Sequence, residues 1–134
     1  MALQATLKLE GKSYDVRDLD YEIYKPSDNN NKPSASYRCG IINFTILSPM
    51  DQNLVFHEWV KSIADVKEGK FYLPLTHGVK HVEKTLAFKK AHCVRLHESY
   101  SSYDSSQMYM RITISASIII CSDRLEFLNK ELPG

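Results

Sequence analysis

In residues 108–120 one parity is apolar throughout, and the other is Tyr109 and then polar as far as Ser117. Met108, Met110, Ile112, Ile114, Ala116, Ile118 and Ile120 share one parity, and Tyr109, Arg111, Thr113, Ser115 and Ser117 share the other. Successive side chains of a strand point to opposite faces, so this pattern predicts one long strand, half buried along its whole length. Such a strand constrains everything around it. Its backbone groups need partners on both edges, and strands of this length curl into a barrel or a compact sandwich.

Period two recurs through most of the chain. Leu3, Ala5, Leu7 and Leu9 alternate with Gln4, Thr6, Lys8 and Glu10, and Gly11-Lys12 then predicts a hairpin with a type II′ turn. Tyr14 and Val16 are followed by Leu19, Tyr21 and Ile23, a change of phase that places a bulge near Arg17-Asp18. Tyr37 to Leu47 reads as a strand with Ile42, Phe44 and Ile46 facing one way and Asn43 and Thr45 the other. Phe71, Leu73 and Leu75 make a short strand in which Pro74 suits an edge, and His77-Gly78 turns the chain. Two further strands are expected at Val82 to Phe88 and Ala91 to Tyr100, the second with Val94, Leu96 and Tyr100 in one register.

One helix is predicted, over about residues 49–65. Ser48 would cap it, Pro49 would take its first position, and Asp51 would complete a capping box. Val55, Phe56, Trp59, Val60 and Ile63 fall on one face, while His57, Glu58, Lys61 and Ser62 face away. Residues 122–134 read as a charged tail with Leu125, Phe127 and Leu128 as docking contacts. The whole is mainly β. An antiparallel β-barrel or two-sheet sandwich of about seven strands, with one flanking α-helix, is expected in a single domain over residues 1–134.

Charge and composition exclude several functions. Seventeen basic residues against sixteen acidic ones leave a net charge of +1. Nucleic-acid and acidic-membrane binders rely on excess positive charge, so neither partner is expected. Three cysteines without a C-x-x-C spacing read as free thiols of a reducing compartment. The first residues lack the basic and apolar regions of a secretory signal, and no apolar run approaches a membrane span. A protein folded in the cytoplasm is expected, one that leaves, if it does, without that signal.

Little catalytic chemistry is visible. The chain has no Gly-rich phosphate loop and no Gly-x-Ser-x-Gly elbow. His77-x-x-x-His81 has the spacing of a helical metal pair but spans a turn between strands, and no further motif completes a site. No catalytic residue, metal site or cofactor is therefore predicted, and Trp59 is assigned to the core.

Assembly and binding remain. The uncharged outer side chains Thr113, Ser115 and Ser117 suit a protein neighbour better than a dense Lys/Glu surface would. The low-hydrophobicity stretch from Lys25 to Ser34, with two prolines and three consecutive asparagines, is a long loop of the kind that carries function. A small ligand-binding barrel is the alternative, although alternating bulky side chains argue for a filled interior.

The order of motifs resembles the Hcp (TssD) family, the inner-tube proteins of type VI secretion systems, and within it the Bacteroidetes branch. The resemblance rests on Ala5-Thr6-Leu7, Gly11-Lys12-Ser13-Tyr14-Asp15-Val16, Pro33-Ser34, Gly40 and Ile42, and Phe56-His57-Glu58-Trp59. It continues through Leu86-Ala87-Phe88-Lys89-Lys90-Ala91, Glu98-Ser99-Tyr100, Met108 and Ile112-Thr113-Ile114-Ser115-Ala116, and so covers about residues 4–120. The Asn-rich loop, residues 91–97 and the tail depart from the pattern.

The resemblance implies a β-barrel with a helix on its flank, and hexameric rings that stack into a tube. A contracting sheath would expel that tube behind a spike protein, with effectors held non-covalently in the lumen. A cyclic ring needs a heterologous interface. Tyr109, Arg111, Thr113 and Ser115 are the candidates for it. Asp28, Asn29, Asn30, Asn31 and Lys32, within the Lys25 to Ser36 loop, are the candidates for contact between rings.

Overall fold

A computed structural model describes residues 4–32, 36–103 and 107–129. It contains β1 (Ala5–Leu9), β2 (Lys12–Tyr21), β3 (Ile41–Leu47), α1 (Val55–Lys61), β4 (Lys67–His77), β5 (Lys80–Ser101), β6 (Gln107–Cys121) and β7 (Leu125–Leu128). The expected contributions of Leu3 to the first strand and of Pro33-Ser34 to the loop lie outside the described residues.

The strands form one antiparallel sheet in the order β3-β2-β1-β4-β5-β6-β7, and β3 also pairs with β6. That last pairing, from Ile41↔Ser115 to Leu47↔Tyr109, closes the sheet into a barrel. Of the barrel and the sandwich allowed by the sequence, the chain adopts the barrel. Beyond β3, β6 pairs along the same edge with β7, through Ile118↔Leu128 to Cys121↔Leu125. The expected tail is thus a strand.

The interior is filled by side chains. Leu7, Phe44, Phe71, Phe88, Ile112 and Ile114 are fully buried. Aromatic rings run in contact across it: Phe44 to Phe71 at 5.0 Å, Phe71 to Phe88 at 5.7 Å and Phe88 to Trp59 at 6.5 Å. The chain of rings continues from Trp59 to Phe56 and from Phe56 to Tyr14. Gly69 makes room for this stack, because a Cβ there would lie 2.7 Å from the Phe88 ring.

The β1–β2 turn differs from expectation. Leu9 pairs with Lys12, so the two turn residues are Glu10 and Gly11, both at positive φ (51° and 78°). That is the signature of a type I′ turn, not II′, and its twist matches the flanking strands. The β2 bulge falls where the phase change placed it, between Val16 and Asp18.

The two strands expected over residues 82–100 are one. Strand β5 runs unbroken from Lys80 to Ser101. Its inward parity changes from Leu86 and Phe88 to Ala91 and Cys93 across Lys89-Lys90, where Lys90 takes φ 51°. The paired stretch of β6 changes phase at the same level. Its buried residues run Met110, Ile112, Ile114, Ala116, Ser117 and Ile119, whereas the sequence pattern assigned Ile118 and Ile120 to the inner face and Ser117 to the outer one. Past Ala116 the strand leaves β3 and joins β7, so the face that was inside the barrel no longer is. Met108, also placed on the inner face by the pattern, is exposed. A second irregularity between Cys93 and Arg95 turns Val94 outward.

The helix is shorter than expected and starts later. The Ser48 amide donates to Met108 O at 2.8 Å, extending the sheet ladder, and the helix begins only at Val55, after Leu54. Asp51 accepts from the Asn53 amide and Asn53 from the Val55 amide, a pair of side-chain turns in place of the capping box. Asn53 also donates to Tyr14 Oη at 2.8 Å, which ties this segment to β2. Of the predicted apolar face, Phe56 and Trp59 are buried, while Ile63 lies past the helix end in solvent. His57, expected to face away, meets β5 instead, with Nε2 2.7 Å from Glu98 Oε1. Trp59 Nε1 donates to Ala91 O at 3.1 Å. Beyond its pairing with β4, which ends at Lys67↔Ala91, β5 is therefore met by α1.

Two tests follow from this packing. Gly40 has φ 126°, and a Cβ there would meet the Asn129 side chain and lie 2.9 Å from Ala116 O. Gly40→Ala is expected to cost about 2 kcal/mol or more in denaturant unfolding. Gly78→Ala, in an open turn at φ 62°, is expected to cost only about 1 kcal/mol. Burial pushes the Cys93 thiol up to about 11. An acid held protonated in the native state loses stability as pH rises through the unfolded-state value toward the native one. The wild type is therefore expected to lose roughly 2–3 kcal/mol more than Cys93→Ala between about pH 9 and 11, measured by denaturant titration at each pH.

Candidate assembly surface

The four strand residues singled out for the ring interface lie together on the outer face of β6, and their side chains are organised by neighbouring strands. Arg111 sits 3.4 Å from Asp18 Oδ1 and 3.7 Å from Asp20 Oδ2, and donates to Thr45 Oγ1 at 3.3 Å. Thr113 Oγ1 donates to Asn43 Oδ1 at 2.6 Å, and Asn43 Nδ2 donates to Asp20 Oδ1 at 3.1 Å. The Arg17 guanidinium lies over the Tyr109 ring at 4.8 Å. Ser115 borders a cleft of about 410 Å³ with Asp20, Tyr21, Cys39 and Ile41.

This strip is a shaped polar surface whose charges are balanced within one subunit. Its ion pairs are about half exposed, so solvent screens them to below about 1 kcal/mol each. They orient side chains more than they stabilise the fold. Burial in turn raises the Tyr21 phenol, helped by its contact with the Cys121 sulfur at 3.7 Å.

The Asn-rich loop is an ordered turn. Asp28 Oδ1 accepts from the Asn30 amide at 2.8 Å and the Lys32 amide at 3.0 Å, while Asp28 N donates to Lys32 O at 2.8 Å. Asn31 supplies the positive φ, 61°, that closes it. Tyr24 and Arg38 exchange two backbone hydrogen bonds at its base. Asp28, Asn29, Asn30, Asn31 and Lys32 are all exposed, and residues 33–35 lie outside the described residues.

His77 pairs with Lys80 and His81 with Thr76, so the two imidazoles project from opposite faces of the β4–β5 hairpin. Two rings so placed cannot share an ion. Cys39, Cys93 and Cys121 are free thiols.

Sequence reasoning missed the surface that the closed barrel leaves apolar. Among the described residues, many of the large exposed hydrophobic side chains fall in two groups at opposite ends of β5. One end carries Leu75, Val79 and Val82 of the β4–β5 hairpin. The other carries Met50, Leu54, Ile63, Val66, Tyr100 and Tyr103. No signal in the sequence separates these residues from core, because period and hydropathy are the same for both.

Comparisons with known proteins bear on this fold. The family model described as "Hemolysin coregulated protein Hcp (TssD)" matches residues 1–130. Among solved structures, Hcp1 from Flavobacterium johnsoniae superposes with a TM-score of 0.79 at 23% identity, over 95% of this chain and 100% of that one. Hcp1 from E. coli EAEC 042 superposes with a TM-score of 0.72 at 14% identity, over 94% of this chain and 97% of that one. Hcp2 from Salmonella typhimurium gives 0.61 at 10% identity, over 98% and 100%. No curated protein matches the chain by sequence. A family match over nearly the whole length, on a closed barrel that shares the fold of solved Hcp proteins, assigns the chain to the Hcp (TssD) family, the structural tube subunits of type VI secretion systems.

Proposed function

We propose that this chain assembles as hexameric rings that stack into the tube, held in the cytoplasm before firing and expelled by sheath contraction behind a spike. The observation that carries this reading is the family match over residues 1–130 on a barrel with the Hcp fold. Hcp is a family of structural proteins, and the reading assigns this chain no catalysis. Effectors would ride in the lumen without a covalent link.

The geometry supports the division of labour expected between strands and loop. Tyr109, Arg111, Thr113 and Ser115 line the side of the barrel, where a heterologous neighbour within a ring would sit. The loop residues Asp28 to Lys32 lie at one end, where a neighbour in the next ring would sit. A ligand-binding barrel is disfavoured because Phe44, Phe71, Phe88 and Ile112 fill the interior.

Light scattering with negative-stain imaging tests the ring. Six copies of 15.4 kDa give roughly 92 kDa. A protein that stays monomeric at high concentration would remove the tube reading. Arg111→Glu is expected to shift the population from ring toward monomer while changing unfolding stability by about 1 kcal/mol or less, since its ion pairs are solvent-screened. An unchanged ring mass would take Arg111 out of the interface. Shortening the loop by deleting residues 28–32 is expected to spare single rings and shorten tubes, scored on the same grids. Long tubes from that variant would reject the loop as a stacking contact.

A further inference from the structure

The β4–β5 hairpin reaches past the rest of the barrel. Strand β1 last pairs with β4 at Thr6↔Tyr72, and β6 last pairs with β5 at Leu86↔Cys121. Among the described residues, 73–84 therefore pair only with each other within the sheet, from Leu73↔Lys84 to His77↔Lys80. Three large apolar side chains stand exposed among the polar ones of this ribbon. Val79 is 95% exposed, and Leu75 and Val82 are about half exposed. These last two border a hollow with Thr76, His77 and Lys80. A projecting two-stranded ribbon with apolar side chains is unstable as a solvated surface and calls for a partner.

The opposite end of the same molecule has the complementary character. Strand β5 alone spans the distance, 22 residues or roughly 70 Å of contour, from the hairpin tip to the end that holds α1. There Met50, Ile63 and Tyr103 are 98%, 95% and 96% exposed. Charge is complementary too. Residues 73–84 carry Lys80 and Lys84 against Glu83, a net +1 with histidines neutral. Residues 48–68 carry Asp51, Glu58, Asp65 and Glu68 against Lys61 and Lys67, a net −2, and Lys67 is held by Glu10 and Asp65.

We infer that the β4–β5 hairpin tip, centred on Val79, docks on the α1 end of a second copy of this chain, around Met50, Ile63 and Tyr103. Both halves of the contact lie on one molecule, at opposite ends. A contact of that kind is heterologous and does not close between two copies, so it propagates end to end. The inference rests on the tube reading and deepens it by naming the residues that join one ring to the next.

The test uses the full-length chain. Val79 is solvated in a turn, so Val79→Glu and Val79→Lys are both expected to fold with wild-type unfolding midpoints. Val79→Glu, an acidic group aimed at an acidic end, is expected to reduce mean tube length about tenfold while particles of ring mass persist. Val79→Lys is expected to reduce it less. A second variant, Val79→Cys with Ile63→Cys in one chain, is expected to give a ladder of covalent multimers on mild oxidation that neither single substitution gives. Long tubes with Val79→Glu, or no ladder from the double variant, would overturn the inference. Loss of the rings themselves with Val79→Glu would also overturn it, by moving the hairpin into the contact within a ring. A wild type that forms no rings at any concentration would fail at the earlier step, the tube reading.

Discussion

Pairing of β3 with β6 is the constraint on which the structure depends. Without the ladder from Ile41↔Ser115 to Leu47↔Tyr109, the sheet would be open, with two long unpaired edges. Closure brings Phe44 against Phe71 and places Ile112 and Ile114 inside, so backbone pairing and core burial arrive together. It also explains why β6 is so long. One edge must serve β3 and then β7, while the other serves β5 throughout.

Closure has a cost that the rest of the chain meets. Strand β5 runs on past the start of β4, and α1 packs against it there. The Trp59 indole reaches the Ala91 carbonyl, and His57 meets Glu98. A seven-residue helix has little intrinsic stability in water, so it persists by burying Phe56 and Trp59 and by these two attachments. At the opposite end, among the described residues, no strand beyond the hairpin itself pairs with residues 73–84. The side of the barrel, with Arg111 between Asp18 and Asp20, is balanced by its own charges, whereas the β4–β5 hairpin and the region of α1 carry Val79, Met50, Ile63 and Tyr103 almost fully exposed. A body with polar sides and unlike apolar ends suits head-to-tail stacking.

Much of this was legible from alternation alone. The parity of Met110, Ile112 and Ile114, the inward set Ile42, Phe44 and Ile46, and the bulge between Val16 and Asp18 follow from which side chains can face an apolar interior. The family resemblance, carried by motifs from Ala5 to Ala116, agrees with the family match. The errors share one cause. Lys90 at φ 51° reverses the parity of β5 without ending it, and β6 reverses beside it. A change of phase in a list of residues looks the same whether the strand breaks or bulges. Likewise Ser48, Pro49 and Asp51 have helix-capping chemistry, but side-chain turns at Asp51 and Asn53 occupy this segment and the helix begins only at Val55.

The amino-acid sequence by itself determined the class of the protein: antiparallel strands with one helix whose Phe56 and Trp59 face the core, near-neutral charge, and motifs shared with the Hcp family. Those properties are local, set by the period of side-chain direction and by residue type. Tertiary structure alone decided barrel over sandwich, the length of β5, the networks around Arg111 and Asp28, and which apolar residues are left in solvent. Each of these depends on which strand pairs with which, at separations of up to about seventy residues between β3 and β6, and no local pattern encodes that choice. Val79 and Val82 have the hydropathy of core residues, and only the end points of β1 and β6 leave them outside.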